Sequence, residues 1–103
     1  MFGRNKVENV PAQDWEQWVN DNNGLLLDVR EAKEWALGTL PGAELMAMSE
    51  IGDKWQNLDP AKATLVVCRS GNRSMTVAKA LQNAGFANVA NMSGGMKALG
   101  MQG

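Results

Sequence analysis

The residues best suited to chemistry lie in one short run, Cys68-Arg69-Ser70-Gly71-Asn72-Arg73-Ser74. Cys68 is the one cysteine of the chain, and histidine is absent. Ser-His-Asp triads, Cys-His pairs and histidine metal sites are therefore excluded, as are a CxxC redox pair and zinc sites built on several thiolates. A reactive Cys68 must draw its activation from the backbone and from nearby cations. The run follows an apolar, β-branched segment, Thr64-Leu65-Val66-Val67, and opens a helical pattern. Ligands of parallel α/β sheets bind at that end of the strands, where loop N–H groups and a helix N-terminus favour an anion. Lowering a thiol pKa from ~8.5 to ~6.5 takes about 2.7 kcal/mol of preferential anion stabilisation. Arg69 and Arg73 add two cations. The competing reading is a small buried hydrophobe, but an inert cysteine has no need of Gly-Asn and two arginines directly after it. The two readings differ in one respect. A reactive sulfur is ringed by main-chain amides, whereas an inert one is walled in by aliphatic neighbours.

Short apolar runs alternate with helix-period segments, which predicts an α/β fold with right-handed crossovers and a mostly parallel sheet. Leu25-Leu26-Leu27-Asp28-Val29 suits a strand covered on both faces, and Thr64–Val67 is the clearest strand. Ala43–Met48 is a weaker strand and Val89–Met92 a last short one. Pro11 is placed in the first turn of a helix bearing Trp15, Trp18 and Val19 on one face. Glu31–Leu37 reads as a short helix closed by Gly38. Ser49–Leu58 reads as another, with Ser49 as N-cap and Asp59-Pro60 as its stop. After Cys68, a helix carries Val77, Ala78, Leu81 and Ala84 on one face, with Gly85 as its cap and Phe86 over the end. Ser93-Gly94-Gly95 turns into a final helical scrap.

The 103 residues, 45% hydrophobic and 20% charged, fit a single globular domain over 1–103. Such a chain buries roughly 60–65% of its unfolded surface, enough for a core without disulfides. Ten Lys+Arg against eleven Asp+Glu give a net charge of −1, which argues against a general nucleic-acid binder. The start, Met1 to Lys6, lacks the apolar run of a signal peptide. No stretch approaches the ~18–20 apolar residues of a membrane span. A reducing, cytoplasmic setting is expected, where a free thiol persists.

The motif Cys68 to Ser74 resembles the active-site loop of single-domain rhodaneses, the sulfurtransferases. Leu27-Asp28-Val29-Arg30 resembles the DVR signature of that family, and Gly38-Thr39-Leu40-Pro41-Gly42-Ala43 its G-H-I-P-G-A turn. Ala84-Gly85-Phe86 and Gly94-Gly95 fall where the family has A-G-[FY] and its late G-G. The resemblance covers nearly the whole chain in order. It implies a rhodanese-like α/β fold, a central, mostly parallel sheet of about five strands with helices on both faces. It also implies two-step transfer without metal or organic cofactor. Cys68 takes the outer sulfur of thiosulfate or a related small donor and holds it as a persulfide. A thiophilic acceptor (cyanide, a thiol or a protein cysteine) then removes it. N–H groups from Arg69 through Ser70, Gly71 and Asn72 to Arg73 would cradle the sulfur anion. Arg69 and Arg73 would attract the donor's sulfonate. Arg30 is either a donor contact or the partner of a nearby acid. Related cell-cycle phosphatases carry C-x5-R; Arg73 makes the shorter C-x4-R, which favours sulfur over phosphate. Thr39 replaces the family's histidine and Leu99 a tryptophan, neither of them catalytic.

Asp28 reads as a structural acid held by backbone. Trp15, Trp18, Trp35 and Trp55, together with Met46, Met48, Met92, Met96 and Met101, read as packing residues. The expected protein is a monomeric sulfurtransferase. Its rivals are a rhodanese-fold binding module without catalysis and, further off, a phosphatase or arsenate reductase relative.

Overall fold

Strands whose consecutive residues are apolar, such as Leu25–Leu27 and Leu65–Val67, must be covered on both sides, and the chain supplies helices for each face. The computed structural model describes residues 6–101; the reading of the amino-terminal segment falls largely outside them. Five strands are present among the described residues: β1 (Glu8–Pro11), β2 (Leu25–Asp28), β3 (Glu44–Leu45), β4 (Thr64–Val67) and β5 (Val89–Ser93). They form one sheet in the order β1-β5-β4-β2-β3, and every pair is parallel. The helices are α1 (Trp15–Asp21), α2 (Ala32–Trp35), α3 (Met48–Lys54), α4 (Asn72–Asn83) and α5 (Gly95–Ala98). Among the described residues no helix is long and apolar enough to cross a membrane.

The period of two along each strand sorts the apolar residues into two cores. Leu27, Val29, Val66 and Cys68 face α4, where they meet Val77, Ala78 and Leu81, with Met46 beside them and Ile51, Met48 and Trp55 at the margin. Leu26, Leu65, Val67, Ala90, Met92 and Met96 form the other core, against Trp15, Trp18, Val19 and Met101. Trp55 also meets Phe86, ring centroids 6.5 Å apart. Trp35 is half-buried in α2. Asp28, in the middle of an apolar run, is 1% exposed, and Arg30 is 0% exposed. Arg30 donates to Asp28 from its backbone N–H at 3.0 Å and from Nη2 at 2.8 Å. The carboxylate is thus satisfied locally, as a structural acid must be.

Several local expectations are corrected. Pro11 does not start a helix; it ends β1, an edge strand, where a missing N–H costs little. A single 3-10 turn, Ala12–Asp14, separates it from α1. Strand β1 escaped the sequence reading because only Val10 of its four residues is buried. The weak strand at Ala43–Met48 shrinks to two residues, β3. Ser49 lies inside α3, not at its cap, because Glu31 approaches from outside and accepts from the Ser49 N–H at 3.1 Å and its hydroxyl at 2.7 Å. That bond satisfies one orphan donor of the first turn. Helix α3 also stops at Lys54 and tightens into a 3-10 turn, Trp55–Asn57. Ala84 is exposed, whereas the rest of the proposed α4 stripe is buried. The α4 cap is as expected: Phe86 N–H donates to the Leu81 carbonyl and Gly85 N–H to that of Gln82, both at 3.1 Å.

Removing one member of a buried ion pair leaves an uncompensated charge. Asp28→Ala is expected to cost about 3–5 kcal/mol of unfolding free energy in urea denaturation. A loss below about 1 kcal/mol would mean that Arg30 finds equivalent partners elsewhere.

Candidate active site

Strand β4 is the central strand, and Cys68 follows its last residue. Two residues beyond Val66, its side chain points to the same face, toward the first turn of α4. The chain then doubles back. Gly71 adopts φ +101°, a conformation that L side chains rarely take, and serves as the N-cap of α4. This turn brings N–H groups over the sulfur. Gly71 N lies 3.1 Å from Cys68 Sγ, and Ser74 N and Ser74 Oγ each lie 3.3 Å from it.

Cys68 is 0% exposed, among aliphatic neighbours on its sheet side. The contrast drawn from sequence therefore does not hold as stated. The sulfur is walled in, as an inert cysteine would be, and it also receives the donors that only an anion needs. Burial pushes its pKa up. The Ser74 hydroxyl and the N–H groups of Ser74, Gly71 and Ser70 outweigh that effect, so the thiol titrates below its ordinary value.

The loop is held from the far side by α5. Met96 N donates to the Cys68 carbonyl at 3.0 Å and Lys97 N to the Arg69 carbonyl at 2.9 Å. The approach is so close that a Cβ on Gly95 would fall under 3.0 Å from both carbonyl oxygens. Gly95 also has φ +60°. A side chain is therefore excluded there on two counts.

The predicted site residues are not all brought together. Gly71 donates directly to the sulfur, and the Ser70 N–H contributes to its electrostatics. Arg69, Ser70 and Asn72 have exposed side chains. Arg73 lies near enough to feel the Cys68 charge, but its guanidinium fork is engaged by Glu34, with Nη1–Oε1 at 2.7 Å and Nη2–Oε2 at 2.8 Å. Arg30 is committed to Asp28 and to the carbonyls of Gly38, at 2.7 Å, and Glu34, at 3.3 Å. Of its two sequence readings, the structure supports the partner of an acid. Ser74 was missed as a donor to sulfur. The available signal was its position in the first turn of a helix that begins over the cysteine. Glu34 was missed as the partner of Arg73, and no local signal joins residues 39 positions apart.

A rhodanese-like domain family model matches residues 11–102. YtwF of Bacillus subtilis is 45% identical over 76% of this chain and 75% of its own length. The thiosulfate sulfurtransferase GlpE of Pseudomonas entomophila is 34% identical over 71% of this chain and 67% of its own. The chain also matches, at 33% identity over 96% of its length, a chloroplastic rhodanese-like/PpiC domain-containing protein of Arabidopsis thaliana, of which it spans 36%. The crystal structure of a rhodanese-like domain protein from Staphylococcus aureus superposes with a TM-score of 0.83 at 28% identity, covering 94% of this chain and 95% of that one. The all-parallel five-stranded sheet with its helices matches that rhodanese-like structure. The chain belongs to the rhodanese-like family.

Two substitutions test the supports of the loop. Arg73 and the Glu31 N–H hold Glu34 at a pKa of about 2, below its ordinary 4.5, against the upward push of burial. Its stabilising contribution is complete above about 4.5 and fades as the pH falls toward about 2. Glu34→Gln keeps a residue suited to this helix position. The stability gap between wild type and Glu34→Gln is expected to be constant near neutrality and to close in acid. A gap that does not change with pH contradicts the assignment. Gly95→Ala is expected to cost about 1–3 kcal/mol through strain, read by thermal unfolding. An unchanged transition would show that the α5 turn yields without cost.

Proposed function

We propose that the protein is a sulfurtransferase that moves a sulfane sulfur through a persulfide on Cys68. The carrying observation is the convergence of the Gly71 and Ser74 N–H groups and the Ser74 hydroxyl on one sulfur, at 3.1–3.3 Å. The similarity to GlpE, a thiosulfate sulfurtransferase, supports thiosulfate as a donor class. In the first step the Cys68 thiolate attacks the outer sulfur of thiosulfate. A Cys68–sulfur bond forms, the bond to the sulfonate sulfur breaks, and sulfite leaves with the electron pair. In the second step cyanide, a thiol or a protein cysteine attacks the terminal persulfide sulfur and restores the thiolate. The same amide cradle suits both anions.

Cys68 lies beneath the turn from Arg69 to Asn72, in which Gly71 is buried over the sulfur and Arg69, Ser70 and Asn72 are exposed. Arg69, exposed at the entrance, is the cation best placed to meet a sulfonate. Arg73 meets it only in competition with Glu34. Ser70, Gly71 and Asn72 contribute backbone rather than side chains. The protein acts as a cytoplasmic monomer in this reading, consistent with its single free thiol.

The full burial of Cys68 favours one rival, a rhodanese-fold binding module. Mass spectrometry after incubation with thiosulfate separates the two. The expected result is the gain of one sulfur on wild type, reversed by cyanide and absent in Cys68→Ser. No adduct with thiosulfate or with a low-molecular-weight persulfide would hand the case to the binding module.

A further inference from the structure

A polar chain that the transfer steps do not use runs from the buried Ser74 and Asn91 out to the exposed Asn9. Asn91, in β5, is 3% exposed and flanked by the buried Ala90 and Met92. Its Nδ2 donates to the Gly71 carbonyl at 3.3 Å and to Asn9 Oδ1 at 3.1 Å. A carbonyl only accepts, so Gly71 fixes which end of the amide faces it and turns Asn91 Oδ1 toward Ser74. Ser74 Oγ lies 2.5 Å from that oxygen and 3.3 Å from Cys68 Sγ. The hydroxyl has one proton and two acceptors.

We propose that Asn91 is a positioning residue for Cys68: it competes with the sulfur for the single proton of the Ser74 hydroxyl and so sets how readily the thiol ionises. When Cys68 is a thiol, Ser74 donates to Asn91 and accepts from the S–H. When the sulfur is an anion, the hydroxyl turns and donates to it, leaving Asn91 Oδ1 without that bond. Ionisation therefore costs the Ser74–Asn91 bond. The short Oγ–Oδ1 distance makes Asn91 the stronger competitor at rest. The chain Asn9–Asn91–Ser74 ties this balance to strands β1 and β5.

The inference builds on the reading of Cys68 as the reacting atom, but its test needs no sulfur donor. The charged groups around Cys68 are Arg73 of α4, Arg69 in the loop, and Glu34 and Glu31 around α2, linked to it through Arg73. Strands β2 and β4 bring apolar side chains against it. All of these stay constant across the variants below.

The experiment is a double-mutant cycle read by thiolate ultraviolet absorbance against pH. Ser74→Ala removes a donor to the anion and is expected to raise the Cys68 midpoint by about one unit. Asn91→Ala frees the hydroxyl and is expected to lower it by about half a unit, a threefold rise in thiolate fraction below the midpoint. Asn91→Val, which suits a buried strand, is expected to act in the same direction and covers the case in which the alanine variant does not fold. In the Ser74→Ala background, replacing Asn91 is expected to leave the midpoint unmoved. A midpoint that rises or stays put on replacing Asn91 alone overturns the proposal, as does an equal shift with and without Ser74. Failure of wild type to take up sulfur sinks the transferase reading instead and leaves this cycle decisive on its own terms.

Discussion

Taking a sulfur atom out of water removes the donors that would otherwise solvate its anion, and a thiolate persists only where the chain replaces them. Much of the architecture around Cys68 follows from that requirement. Position 68 follows the central strand and faces inward by strand alternation, so apolar neighbours on the sheet side are unavoidable. The donors have to come from the opposite side. A left-handed Gly71 bends the chain back, and the first turn of α4 presents its unpaired N–H groups to the sulfur. Helix α5 then fixes the two carbonyls at the start of the loop. Burial and activation are two sides of one construction.

Charge is arranged around this site in pairs. Asp28 and Arg30 neutralise each other within the interior, and Arg30 reaches the carbonyls of Gly38 and Glu34. Glu34 in turn grips Arg73. Helix α2, only four residues long, is thereby fastened both to the end of β2 and to the start of α4. Arg73 can sense the sulfur's charge without folding onto it. The consequence is that the fork of Arg73 is already occupied by a carboxylate, whereas Arg69 is exposed.

The parts legible in the sequence are those that depend on local pattern. Strands β2 and β4 each carry three consecutive aliphatic residues, Leu25–Leu27 and Leu65–Val67, and Gly85-Phe86 closes α4 through bonds within the same helix end. Family motifs in register located the cysteine loop. The rest depended on contacts that spacing does not encode. Strand β1 carries a single buried residue and ends in Pro11, a residue that also suits the first turn of a helix, so local pattern does not reveal it. The N-cap expected of Ser49 is pre-empted by Glu31, a residue from another element. Ser74 becomes a sulfur donor only once the loop has curled, and Arg73 loses its free fork to a residue far away in sequence. The burial of Cys68 is likewise a property of the closed loop.

The two borders of the sheet differ from its middle in a way that bears on self-association. On one side β1 offers four residues and terminates at Pro11, which has no N–H; on the other, β3 is only two residues long. Neither rim presents an extended row of unpaired main-chain groups, so a neighbouring copy has little template on which to zip up a continuous intermolecular ribbon. A fold whose interior strands are largely apolar is thus guarded at its flanks against fibrous growth.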